Sequence, residues 1–201
     1  MNTREFMSFV KKECKKHKVN FVEHKTAGIP LGEIVVNGYF SSDVGGETLA
    51  ISTGKPEENW LRILIHEFCH MQQWIEQSKS WTDCHIEDVD ANTIFELWIL
   101  GVIELTPRQK KKVFLKIMEN EADCERRVIK MARKHKLDIN EEEYSQKSNA
   151  YVLFYLHVMK TRKWYKIGKE PYNDKSIYPN MPKTIIKNLS RVNPKLIMLF
   201  K

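Results

Sequence analysis

Hydrophobic and polar positions divide the first third of the chain into one helical and three extended patterns. Phe6, Phe9, Val10 and Cys14 recur at helical spacing in a charged segment and predict an amphipathic helix from residue 3 to about 17. Three strand-like runs follow, VNFVEHK, GEIVVNGYF and ETLAIST, separated by Gly- and Pro-bearing turns. At TGKPEEN, Pro56 and two glutamates suit a first helical turn, and Trp60, Leu64, Phe68, Met71 and Ile75 then form one stripe of a helix reaching about Ser78. WTDCHIEDVD reads as a loop leading to an apolar helix from about Ala91 to Leu105. In TPRQ, Thr106 is an N-cap, Pro107 the first helical residue and Gln109 the closing half of a capping box, for a helix lasting to about Lys134. Asn140 and three acids open a last long helix, and prolines 171, 179, 182 and 194 break the chain beyond Gly168. These patterns predict an α+β fold: an N-terminal helix, a small, mostly antiparallel sheet and several helices. Residues 1–167 form the expected domain, with 168–201 an irregular basic tail packed on it.

Composition agrees with one folded domain, since 42% of the 201 residues are hydrophobic and 10% aromatic. The N-terminus lacks the apolar core of a secretory signal, and runs such as LWILGVI are too short to span a bilayer. Cys14, Cys69, Cys84 and Cys124 are scattered, with no CxxC pair, which argues against a disulfide framework or a zinc ribbon. A soluble protein of a reducing cytoplasm, without a membrane partner, is the expectation. The net charge of +7 is uneven: residues 160–201 hold eleven Lys or Arg against Glu170 and Asp174, so everything before them is slightly acidic.

The chemistry concentrates in RILIHEFCHMQQW, residues 62–74. At about 100° per residue, His66 and His70 lie about 40° apart and one turn along a helix, so both imidazoles can reach one ion. They sit away from the Trp60 stripe, on a face shared with Gln73 and Arg62. Zn2+ held by two imidazoles and one carboxylate keeps an open position for water, and Glu67, about 100° round from His66, flanks that position as a general base. The implied reaction is amide hydrolysis. Acids available downstream as third ligand include Glu87, Asp90, Glu96, Glu104, Glu119 and Glu121, with ENEADCERR the best-patterned segment.

HEFCH followed by ENEAD at 119–123 resembles the HExxH and ExxAD helices of gluzincin-type zincin metallopeptidases, thermolysin-like proteins among them. The resemblance implies a zincin-like fold with Glu119 as third zinc ligand and Asp123 as the carboxylate that orients a zinc histidine. Glu121 points about 200° away from Glu119 on a helix and is the rival ligand. In zincins an edge strand pairs with the substrate peptide, and ETLAIST, which immediately precedes the motif helix, occupies the corresponding place in the sequence. Two features depart from the pattern: 49 positions separate His70 from Glu119, and the intervening segment contains a whole predicted helix. The layout is also similar to zincin-like proteins of large tailed bacteriophages, which implies action in an infected bacterial cytoplasm.

Tyr151, Tyr155, His157 and Tyr178 are candidates for stabilising an oxyanion, each with simple packing as the commoner role. Cys84 and His85 lack a partner pair, and Cys69 suits a small core position. The tail interleaves basic residues with Trp164, Tyr165, Tyr172 and Tyr178, a mixture that can bind nucleic acid or wrap the domain. The expected function is a zinc-dependent metallopeptidase acting on a protein or peptide. The alternative is a non-catalytic zinc protein that engages protein or nucleic acid through its basic end.

Overall fold

A computed structural model describes residues 1–31, 34–42, 45–166 and 168–200. The chain is α+β and divides into two compact units, Met1–Ser78 with Arg127–Asp138, and Lys79–Arg126 with Ile139–Lys201.

The first unit opens with α1 (Thr3–Lys16), started by a reciprocal capping box in which Asn2 N–H donates to Glu5 and Glu5 N–H donates to Asn2. Phe6, Val10 and Cys14, four residues apart, are buried along one face. Five strands follow: β1 (Asn20–His24), β2 (Ile29–Leu31), β3 (Ile34–Val36), β4 (Gly38–Ser41) and β5 (Thr48–Ser52). The second strand-like run divides at Asn37, so that β3 pairs with β2 in a hairpin and β4 pairs with β5; its first residues, Gly32 and Glu33, lie outside the described residues.

The main sheet has the order β1-β5-β4, with β1 parallel and β4 antiparallel to β5. This corrects the assignment of ETLAIST to an edge. β5 is the central strand, and Leu49, Ala50 and Ile51 are each 0% exposed, the continuous burial of a strand covered on both faces. The α2 helix (Glu57–Ile75) packs on β4 and β5. Its burial extends beyond the apolar stripe to Glu67, His70 and Gln73, while His66 and Arg62 on the histidine face are half-buried.

In the second unit, WTDCHIEDVD is more ordered than a loop. It contains the end of α3 (Lys79–Asp83) and a hairpin of β6 (His85–Ile86) and β7 (Val89–Asp90), turned by Glu87 and Asp88 at positive φ. The α4 helix (Ala91–Ile99) stops short of Leu105 because Gly101 adopts φ +80°, while Gly101 N–H donates to Trp98 O and Val102 N–H to Leu97 O. This is a Schellman stop, and the apolar residues beyond it leave the helix. α5 (Pro107–His135) is a continuous helix whose first turn is capped by Thr106 and Gln109. α6 (Glu141–Thr161) is capped by Asn140, whose side chain accepts from Glu143 N–H.

The tail carries short 3-10 turns at Tyr178–Asn180 and Leu189–Arg191 and a final turn, α7 (Pro194–Ile197). Aromatic side chains in and just before it are engaged in packing: Trp164 touches Phe95, Phe154 and Tyr155, and Tyr172 touches Tyr151 and Tyr165. Among the described residues, no helix is long and apolar enough to cross a membrane.

Candidate metal centre

α2 brings two candidate ligands together by local geometry alone. His66 and His70 are one turn apart, and their Nε2 atoms approach to 3.1 Å with the rings edge to face. Two nitrogens bound tetrahedrally to one zinc ion at the usual distance of about 2.0–2.1 Å lie about 3.3–3.4 Å apart. The observed spacing is close to that of two imidazoles sharing an ion. His70 Nδ1 lies 2.8 Å from Gln73 Oε1, with Gln73 fully buried one turn further on. His66, His70 and Cys124 form a group able to hold a metal ion, with ligand atoms all within 4.8 Å of one another. Two nitrogens and a sulfur suit zinc and other borderline to soft divalent ions better than calcium or magnesium.

Glu67, between the histidines, is 8% exposed. It lies against β4: a Cβ added at Gly38 would stand 3.2 Å from Glu67 Cγ, 2.9 Å from Ala50 O and 2.6 Å from Ile63 Cγ2. Glycine is therefore required for the close approach of α2 to the sheet. Gly38→Ala is expected to cost about 1–3 kcal/mol through overpacking, seen as a lower midpoint in thermal unfolding; a midpoint equal to wild type would show that the contact relaxes freely.

On α5, Glu119 is exposed, whereas Glu121 is buried at 8% exposure. By helical periodicity, Glu121 is about 60° from Cys124 and Glu119 about 140° from it. Asp123 accepts a hydrogen bond from the Ser80 hydroxyl at 2.9 Å and stands 3.7 Å from Arg126. The Tyr151 and Tyr155 hydroxyls are 3.2 Å apart, and burial, followed by the charge of Glu121, raises both phenols well above their ordinary range. His157 stacks on Phe154, and Tyr178 receives the Lys147 ammonium over its ring. Cys84 is buried, which pushes its thiol up to about 12, while His85 is exposed. Cys69 is a core residue, 0% exposed.

The sequence pointed to His66, Glu67 and His70 but did not single out Cys124 as a ligand. Scattered cysteines carry no pairing signal, and a histidine pair gives no indication of which distant thiol it meets. Comparison of the chain with protein-family models, curated proteins and solved structures finds no match.

Proposed function

We propose that the protein is a zinc-dependent peptidase built on the α2 motif. The observation that carries this reading is the facing pair of His66 and His70 Nε2 atoms at 3.1 Å, with the Cys124 thiol in the same group and a buried carboxylate between the two histidines in sequence. A zinc ion bound there would supply Lewis-acid polarisation of a peptide carbonyl and of water. Glu67 holds the proton removed from the attacking water on a carboxylate oxygen and returns it to the leaving amine. Glu67 is buried and lies against β4, which restricts its rotamers and supports its reading as a fixed rather than solvated proton acceptor.

His66 and His70 supply two ligands in this reading, and the third comes from α5. Burial and helical phase favour the Cys124 and Glu121 side of that helix over Glu119. Zinc analysis of purified variants tests this. The expected result is about one zinc per wild-type chain, zinc binding weakened at least tenfold in Cys124→Ala or Glu121→Ala, and little change in Glu119→Ala. Weakened binding in Glu119→Ala alone would restore the ligand set implied by the zincin resemblance, with Asp123 as its orienting carboxylate. No zinc uptake by wild type would remove the centre altogether.

A zinc protein without turnover, engaging a partner through its basic end, is the second reading. Packing of Trp164 and Tyr172 inside the second unit weighs against these two as base-stacking platforms. A peptidase assay with and without chelator, run beside a salt-dependent nucleic-acid shift assay, separates the two. Binding without cleavage, unchanged in Glu67→Gln, would favour the second.

A further inference from the structure

Gln73 is the side chain that meets the far nitrogen of His70. It follows His70 by three positions on α2, is 0% exposed, and holds Oε1 at 2.8 Å from His70 Nδ1. A neutral imidazole carries one proton, so an Nδ1–H that donates to Gln73 Oε1 leaves Nε2 as a bare lone pair. That Nε2 is the atom facing His66 Nε2 at 3.1 Å. We infer that Gln73 is a positioning residue for the metal centre, fixing His70 in the Nδ1–H tautomer so that its ligand atom is prepared before an ion arrives. The inference rests on the metal reading above and concerns the chain's own hydrogen bonding.

The choice of side chain has a physical reason. Metal-bound histidines commonly donate their second N–H to a carboxylate or a carbonyl, which fixes the ring and raises its basicity. Here Glu67 is already buried on the same helix. An amide oxygen orients the ring without placing a second negative charge in the metal-free centre. The glutamine can in principle present its amide N–H instead. It would then donate to Nδ1, His70 would carry its proton on Nε2, and the ligand atom would be blocked. The two arrangements are distinguishable by experiment.

In metal-free wild type, nitrogen-15 NMR of the His70 ring is expected to show a protonated Nδ1 and an Nε2 that carries no proton. Titration with zinc alone is expected to give affinity 10- to 100-fold weaker in Gln73→Met than in wild type. Gln73→Glu, which keeps an acceptor, should restore affinity to within about threefold or improve it. His70 protonated on Nε2, or equal zinc affinity in Gln73→Met and wild type, overturns the inference and leaves the metal centre standing. Wild type that takes up no zinc overturns the metal reading and this inference with it. If Gln73→Met does not fold, the wild-type ring spectrum decides.

Discussion

Glu67→Gln is expected to keep its zinc and lose about two to four orders of magnitude in peptide hydrolysis, the usual contribution of a positioned general base. In barrier terms that is about 3–5 kcal/mol. The substitution is nearly isosteric, an important condition at a buried side chain that lies close to Gly38. An amide retains the volume of the carboxylate, but one acceptor oxygen becomes an NH2 donor and the group cannot accept a proton at neutral pH. Metal content and turnover should therefore separate in this variant, whereas His70→Ala should lose both together. Turnover within threefold of wild type in Glu67→Gln, with zinc intact, would remove Glu67 from the chemistry. Loss of zinc would instead make it a structural part of the centre.

The second large effect concerns stability and lies far in sequence from the motif. Asn149 on α6 is 1% exposed, and its amide donates to Pro182 O and Thr184 O, each at 2.9 Å, while its oxygen accepts from Ile186 N–H at 3.0 Å. One turn earlier, Gln146 donates to Pro179 O and Met181 O. These two side chains hold a segment that has little secondary structure to satisfy its own backbone. Asn149→Leu preserves approximate volume but leaves three backbone groups without partners, each worth about 1–3 kcal/mol where water cannot reach. A loss of about 3–5 kcal/mol is expected, lowering the thermal midpoint by roughly 6–20 °C for a chain of this size. Trypsin should then cut at Lys183 or Lys187 well before the rest of the chain. A midpoint within about 2 °C of wild type, with unchanged cleavage, would mean that the tail is held by its apolar contacts alone, such as Phe200 against Phe154.

Helix starts were legible wherever a side chain closes a bond with backbone three residues away, as at Thr106 with Gln109 and at Asn140 with Glu143. Such bonds need no tertiary context. The end of α4 was less legible: Val102, Ile103 and Leu105 continue the apolar pattern, and only the glycine conformation at 101 shows that the helix has stopped. The β6–β7 hairpin escaped because Glu87 and Asp88 occupy positive-φ positions that Asn-Gly would have advertised. β5 was assigned to an edge by its place in the chain, although its unbroken Leu-Ala-Ile burial is the pattern of a central strand.

The centre divides along the same line. The pairing of His66 and His70 was readable because one helical turn brings both imidazoles together regardless of the rest of the protein. Cys124 was not, because its meeting with the histidines is a long-range event with no spacing rule. Gln73 was visible on the histidine face, but its bond to Nδ1 required rotamers that sequence does not specify.

The first unit is closed by residues that arrive late in synthesis. His135, at the end of α5, packs its ring 5.4 Å from Phe6 and 4.7 Å from Phe9. Until that part of the chain leaves the ribosome, the N-terminal helix, the sheet and the histidine helix lack one wall of their core, with Phe6 and Phe9 incompletely covered. Loop closure over so many residues slows folding and prolongs the exposure of sticky surface. A nascent chain stalled before residue 127 should therefore bind chaperones more strongly than one stalled after the whole helix has emerged.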